Sequence, residues 1–255
     1  MFIDTHAHLT DAKFTGEEGE IISQAKKCKV EKIITSGFNL ASSKQAVSFA
    51  QKHDGVFASI GVYPENIEEL DDFTLQELEK LASNQKVVAI GEIGLQYTEN
   101  MPDHIKQKDG FAKQIRLAHK LQKPIVIHCR EAYGDTLEVL KANKEFLSFG
   151  GTLHCYGGSL EVAKEFISLG LYISIGGVST FKNASRLQEV IKQIPIENIL
   201  LETDCPYLAP VPFRGTRNQP SLVRAIAQNL ANLKGISVEE VEKITTQNAR
   251  RLFKI

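Results

Sequence analysis

Six side chains able to bind a cation are spread along the sequence at His6, His8, Glu92, His128, His154 and Asp204. In Thr5-His6-Ala7-His8 the two imidazoles are two residues apart. Side chains alternate along an extended strand, so both rings leave the same face and can serve one ion. Glu92 closes the run Ala89-Ile90-Gly91-Glu92, His128 closes the run that begins at Ile125, His154 closes the next, and Asp204 lies just past the last. Each stands at the C-terminal end of a predicted strand. Taken singly, any of them reads equally as a capping or core polar residue; the shared position is what singles them out. Four imidazoles and two carboxylates suit zinc or manganese, whereas magnesium prefers oxygen-rich sites. His53, His104 and His119 fall in predicted helices or loops away from any strand end, and are assigned to the surface or to packing.

Eight short, apolar, β-branched runs must position these groups. They begin near Phe2, Lys32, Val56, Val87, Ile125, Gly151, Leu171 and Ile199. Several, such as Val87-Val88-Ala89-Ile90, are apolar without alternation, as expected of strands covered on both faces in a parallel sheet. Between them lie amphipathic segments: Ile21, Ile22, Ala25 and Cys28 share one helical face, as do Phe111, Ile115, Ala118 and Leu121. Alternating strands and helices form an open doubly wound sheet or a closed barrel. Eight strands, with candidate ligands on both the first and the last, favour an α/β fold of the closed (β/α)8 TIM-barrel type, whose strand ends meet around one mouth. Two further helical segments, near Ser221 to Leu233 and Ser237 to Leu252, are expected to close the bottom or side of the barrel. The 255 residues match the roughly 250 that one such domain needs, so residues 1–255 are read as a single domain.

Bulk properties narrow the function classes. No stretch approaches the roughly 20 apolar residues of a membrane span, and the opening MFIDTHAHL lacks a secretion signal, so a cytoplasmic protein is expected. Four cysteines without paired spacing read as free thiols. A net charge of −1 argues against a surface that grips nucleic acid along its length, since such affinity comes from many phosphate contacts. An anionic substrate must then be held locally.

At this point the chain resembles the TatD family of metal-dependent deoxyribonucleases, within the wider amidohydrolase-like barrels. The likeness runs nearly end to end, through Phe2 to Leu9 (FIDTHAHL), Gly91 to Leu95 (GEIGL), His128 to Ala132 (HCREA), His154-Cys155-Tyr156, Leu201 to Pro206 (LETDCP) and Arg214 to Pro220 (RGTRNQP). It implies two divalent metal ions (Zn, Mn or Mg), one held by His6, His8 and Asp204, the other by His128 and His154, with Glu92 between them. Two departures stand out: Tyr63 in Gly61-Val62-Tyr63-Pro64 where the family usually has histidine, and Gln96 after Gly94-Leu95 where it usually has aspartate. Both bear on substrate preference and rate.

Four cationic charges against Glu92 and Asp204 leave a positive pocket, suited to an anionic ester and the charge of its transition state. The expected reaction is phosphodiester hydrolysis by a metal-activated water, with Asp204 as proton acceptor and Glu92 as the shared ligand. DNA ends or short oligonucleotides are the expected substrates of an exonuclease-like, monomeric enzyme acting 3′ to 5′. Arg130, two residues after His128, and Arg214 and Arg217 in a proline-rich loop are candidate phosphate clamps; each also reads as a surface ion-pair partner. Tyr63 and Tyr97 are candidate base-stacking groups or loop anchors. Cys129, Cys155 and Cys205 each follow a proposed ligand and should face the opposite way, packing under helices. Two other functions fit the same residues: hydrolysis of small amides, lactones or aminoacyl esters, and metal-retaining interaction without turnover.

Overall fold

The computed structural model describes residues 1–255. The eight apolar runs form strands β1 (Phe2–Ala7), β2 (Val30–Ser36), β3 (Val56–Ile60), β4 (Val87–Gln96), β5 (Ile125–Arg130), β6 (Gly151–Leu153), β7 (Leu171–Ile175) and β8 (Ile199–Leu201). Neighbours pair in parallel in the order β1 to β8. Helices α1 (Glu18–Lys27), α2 (Leu40–Lys52), α3 (Asp72–Leu81), α4 (His104–Lys120), α5 (Tyr133–Ala142), α6 (Leu160–Ser168) and α7 (Ser185–Gln193) connect successive strands. After β8 come α8 (Val223–Lys234) and α9 (Val238–Phe253). The architecture is a (β/α)8 barrel.

The seam between β1 and β8 is closed by bonds that also place the site. The Asp204 N–H donates to the His6 carbonyl at 2.9 Å, and the His8 N–H to the Cys205 carbonyl at 2.7 Å. Beneath them the buried Asp4 carboxyl accepts from the Thr203 N–H at 2.8 Å and hydroxyl at 2.5 Å. Burial pushes the Asp4 pKa up to about 8 even though these bonds pull it down. Residues nearly 200 positions apart in sequence are thereby fixed in one register.

Phe111 and Ile115 of α4, Phe166 of α6 and Leu78 of α3 are buried where the helix ring packs on the apolar outer faces of the strands. Helix starts are set by local chemistry: Asn39, Asp71, Asp103, Ser159 and Ser237 each accept a hydrogen bond from the first turn, a cap worth about 1 kcal/mol. The two C-terminal helices are not equivalent additions. α8 completes the eighth strand–helix unit, so only α9 exceeds the barrel's repeat. α9 plugs the bottom, where Ala249, Leu252 and Phe253 pack with Ile3, Ile34, Val88, Val126 and Leu200. The Asn248 amide donates to the Ile196 and Ile199 carbonyls, both at 2.9 Å, and ties the plug to the start of β8.

Strand limits differ from the sequence reading at three places. β2 begins at Val30 rather than Lys32. β4 and β5 run on to Gln96 and Arg130, pairing Gly94 with His128, Leu95 with Cys129 and Gln96 with Arg130. Glu92 and His128 therefore lie inside their strands, because polar residues at a barrel mouth continue a ladder that polarity alone suggests has ended. Gly94 makes this possible. At its φ of +142° an added Cβ would sit 2.0 Å from the His128 carbonyl oxygen.

Candidate metal centre

All six candidate ligands converge inside the C-terminal mouth of the barrel. Their donor atoms fall into two groups joined by one carboxylate. His6 Nε2 lies 3.3 Å from His8 Nε2, 3.4 Å from Glu92 Oε2 and 3.6 Å from Asp204 Oδ1. His8 Nε2 is 3.3 Å from Asp204 Oδ1 and 3.8 Å from Glu92 Oε2. On the other side, Glu92 Oε1 lies 2.9 Å from both His128 Nδ1 and His154 Nε2, which are themselves 3.0 Å apart. The His6 and His154 rings stack with centroids 4.1 Å apart and hold the two groups side by side.

These donors fit a divalent cation. Around an ion with bonds of about 2.1 Å, neighbouring ligand atoms are separated by about 3.0–3.5 Å, close to the spacings just given. His6 Nε2 and His8 Nε2 face each other and the same two carboxylates, a convergence of donor atoms that a cation would satisfy together. Burial alone would raise the carboxyls of Glu92 and Asp204; the surrounding imidazoles outweigh it and hold Asp204 below, and Glu92 well below, the usual range. Burial would likewise lower His154, but Glu92 and Glu202 hold its pKa well above the usual value. A cation must displace that proton, so its affinity falls as the pH drops.

Groups behind the ligands set which nitrogen each presents. Ser36 Oγ sits 3.1 Å from His6 Nδ1 and 2.8 Å from Ser59 Oγ, leaving His6 Nε2 for the centre. The Gln96 side-chain amide donates to Thr98 Oγ1 at 2.9 Å, which turns Gln96 Oε1 toward His128 Nε2 at 2.8 Å. An acceptor there requires His128 to donate from Nε2 and keeps the Nδ1 lone pair on the Glu92 side. Burial, the largest influence on His128, lowers its pKa against the opposing pull of Glu92 and so favours the neutral ring. Tyr63 also donates to Gln96 Oε1, and its hydroxyl is 3.0 Å from His128 Nε2. The two residues that depart from the family pattern thus act together, as the support of one imidazole.

One important residue escaped the sequence reading. Glu202, fully buried, accepts from the Cys155 N–H at 2.5 Å and places Oε1 3.6 Å from His154 Nδ1. It stands two residues before Asp204, and the acidic pair of Leu201-Glu202-Thr203-Asp204 was the available signal. Glu202 Oε2 and His154 Nδ1 have no hydrogen-bond partner. Glu202 adds a third buried acidic side chain to the two counted from sequence. Conversion of Glu202 to glutamine is expected to weaken cation affinity by about 10- to 100-fold, the usual consequence of losing a carboxylate behind a ligating histidine. Titration of the metal-stripped variant at alkaline pH, where proton competition is weakest, checks this; wild-type affinity would remove Glu202 from that role.

The other predicted site residues are not all gathered. A cleft of about 800 Å³ above the centre is lined by His8, Glu92, His128, His154 and Asp204, together with Tyr63 and Arg130. Arg214 and Arg217 are not on its wall. Arg217 donates to Glu17 at 2.5 and 3.0 Å and to the Lys13 carbonyl at 2.5 Å, while Arg214 lies over the Phe181 ring at 4.4 Å. Their guanidinium groups fasten the loop after β8 rather than reach the mouth. Tyr63 lines the cleft, where it meets His128 edge-on and is held through its hydroxyl. Tyr97 is a loop anchor, bonded to Asp135 at 2.7 Å and stacked on His104. His53 packs on Phe49, and His119 on Phe146 and Phe149, away from the cleft.

Among the cysteines, Cys205 is buried in the core and Cys129 meets Thr136 of α5 at 3.2 Å. Cys155 differs: β6 ends at Leu153, and at a φ of +44° this residue is in a left-handed turn where strand alternation no longer applies. The carboxylates of Asp204, Glu202 and Glu92 add to burial in raising its thiol pKa, which marks it as a neighbour of the centre.

Comparison with known proteins agrees with this geometry. Residues 3–254 match the family model described as TatD related DNase. The chain is 42% identical over 255 residues to the metal-dependent hydrolase YabD of Bacillus subtilis, covering all of both chains. It is 32% identical to the 3′-5′ ssDNA/RNA exonuclease TatD of Edwardsiella piscicida, covering 99% of each. The crystal structure of YjjV, a TatD homologue from Escherichia coli K12, superposes with a TM-score of 0.94 at 30% identity, covering 100% of this chain and 98% of that one.

Proposed function

From the premise that this chain belongs to the family of TatD-related DNases and is a metal-dependent hydrolase, we propose that it removes nucleotides from the 3′ ends of single-stranded DNA or RNA at a two-cation centre. The observation that carries the proposal is Glu92, whose two oxygens face two separate imidazole groups inside one cleft. His6, His8 and Asp204 would hold one cation and His128 and His154 the other, with Glu92 shared. The nitrogen-rich donor set favours zinc or manganese over magnesium. Such cations supply Lewis acidity, making a water acidic near neutral pH and stabilising charge on phosphoryl oxygens.

The chain's own residues do the rest. Asp204 Oδ1 is turned to His6 and His8, which leaves Oδ2 to orient the attacking water and take its proton. Arg130 lines the cleft two positions beyond His128 and forms no ion pair within the protein, so its guanidinium is available to two phosphoryl oxygens. The supports Ser36, Gln96 and Glu202 hold the imidazoles so that the donors need not reorganise during the reaction. The cleft also shares Thr10, Asp11 and Gln45 with a second groove of about 520 Å³ that runs past Lys44 and Lys52 of α2. A cleft that shares a wall with a neighbouring groove offers room for a chain, beyond what a small amide or lactone needs.

The test is a substrate panel. End-labelled single-stranded DNA and RNA, lactones, amides and aryl esters are offered to protein of known metal content, with and without chelator. Stepwise release of nucleotides, abolished by chelator and restored by Mn²⁺ or Zn²⁺, is the expected result. Turnover confined to the carbonyl compounds would overturn the proposal.

A further inference from the structure

The rim of the cleft carries exposed aromatic groups that the metal centre does not use. Phe38 and Tyr207 line the cleft at 42% and 44% exposure, and Leu208 lies beside them at 38%. Exposed apolar groups gathered along one cleft, rather than scattered singly, offer a ligand a surface to cover.

The Phe38 backbone and the Tyr207 ring are held in place before any ligand arrives. Phe38 follows β2 through a tight turn, in which its N–H donates to Ser42 Oγ at 2.9 Å and its carbonyl accepts from the Tyr63 N–H at 2.8 Å. The Tyr207 hydroxyl donates to Asp11 Oδ2 at 2.6 Å, and the Lys13 ammonium lies over its ring at 4.4 Å. A pre-set ring loses little freedom on binding, so its contact area converts efficiently into affinity.

Topology says what such rings would meet. β2 and β8 are the two neighbours of β1, so Phe38 and Tyr207 flank the loop that carries His8. β5, with Arg130, stands opposite β1 in an eight-stranded ring. A strand end gripped by Arg130 beside the metal ligands would extend across the mouth toward the rim that carries Phe38 and Tyr207. Every base has a π-face, so stacking there accepts any sequence, whereas a base inside a duplex already has both faces covered.

Resting on the phosphodiesterase reading above, we propose that Phe38 and Tyr207, with Leu208 beside them, form a stacking slot for an unpaired nucleobase of a single strand. The slot restricts substrates to single strands or frayed ends, and it favours nucleic acid over organic phosphates that lack a base.

The test measures binding to metal-loaded protein of a short, hydrolysis-resistant phosphorothioate strand, either intact or abasic at both terminal nucleotides. The wild-type protein should bind the abasic strand about 10-fold more weakly or worse. Phe38→Ala should weaken binding of the intact strand to a similar extent and leave that of the abasic strand unchanged, with metal content as in the wild type. Tyr207→Phe, which keeps the ring and frees it from Asp11, should fall between. Equal wild-type affinity for both strands, or a Phe38→Ala loss as large on the abasic strand as on the intact one, would overturn the slot while leaving the phosphodiesterase reading intact. Failure of the wild type to bind either strand would overturn both. A concentration-dependent dimer that Phe38→Ala abolishes would reassign the patch to a second copy of the chain and overturn the slot alone.

Discussion

Conversion of Asp204 to asparagine is expected to lower kcat by about 10²- to 10⁴-fold, the range typical of losing a positioned proton acceptor, at full cation occupancy. Asparagine is the informative replacement for a structural reason. Asp204 has a φ of +56°, a region that aspartate and asparagine enter more readily than other side chains except glycine. Its N–H also donates to the His6 carbonyl across the barrel seam. Alanine would disturb that backbone and confound the result, whereas asparagine keeps shape and an oxygen facing His8 and removes only the charge and the basicity. The imidazoles of His8 and His6, together with His154, hold the carboxyl below its usual range against the opposing effect of burial, so it is ionised at neutral pH and ready to accept. The measurement is kcat at saturating metal, with bound metal determined on the same sample. Near-normal turnover in fully loaded Asp204→Asn would reject this residue as the acceptor.

A loss of at least about 10³-fold in turnover, equivalent to roughly 4 kcal/mol of lost transition-state stabilisation, is expected from Glu92→Gln. Each Glu92 oxygen faces a different group of imidazoles. An amide of the same shape can satisfy only one of them. Its nitrogen turns two hydrogens toward donors whose lone pairs must point at a cation, so one of the two positions is lost whichever way the amide is oriented. Metal analysis should therefore show about one ion fewer per chain than in the wild type. The loss should also exceed that of Glu202→Gln, since Glu202 touches the centre only through His154. Wild-type metal content together with wild-type turnover in Glu92→Gln would exclude a shared carboxylate.

These two variants differ in what they remove, which keeps them separable. Asp204→Asn tests chemistry at a centre that still binds its ions. Glu92→Gln tests the architecture of the centre itself. A protein that lost metal in both would point to Asp204 as a structural ligand first and a proton acceptor second.

Much of this was present in the sequence because it is local. The two-residue step from His6 to His8, the apolar runs without alternation and the helical faces of Ile21 and Phe111 each depend on neighbours in the chain, and local periodicity is a direct consequence of backbone geometry. Eight such runs with polar groups at their ends determined the barrel and the six residues at its mouth. Tertiary structure decided matters that depend on distant partners. Arg217 pairs with Glu17, 200 positions earlier, and so leaves the mouth that its place in the loop suggested. Glu202 and Asp204 are two residues apart and chemically alike, yet one stands behind His154 while the other faces His8, because β8 ends at Leu201 and the chain then turns across the seam. Gln96 and Tyr63 read as losses from the family pattern until the pairing of β4 with both β3 and β5 brought them to His128. Long side chains select partners by proximity in space, and residue spacing along the chain does not encode that proximity.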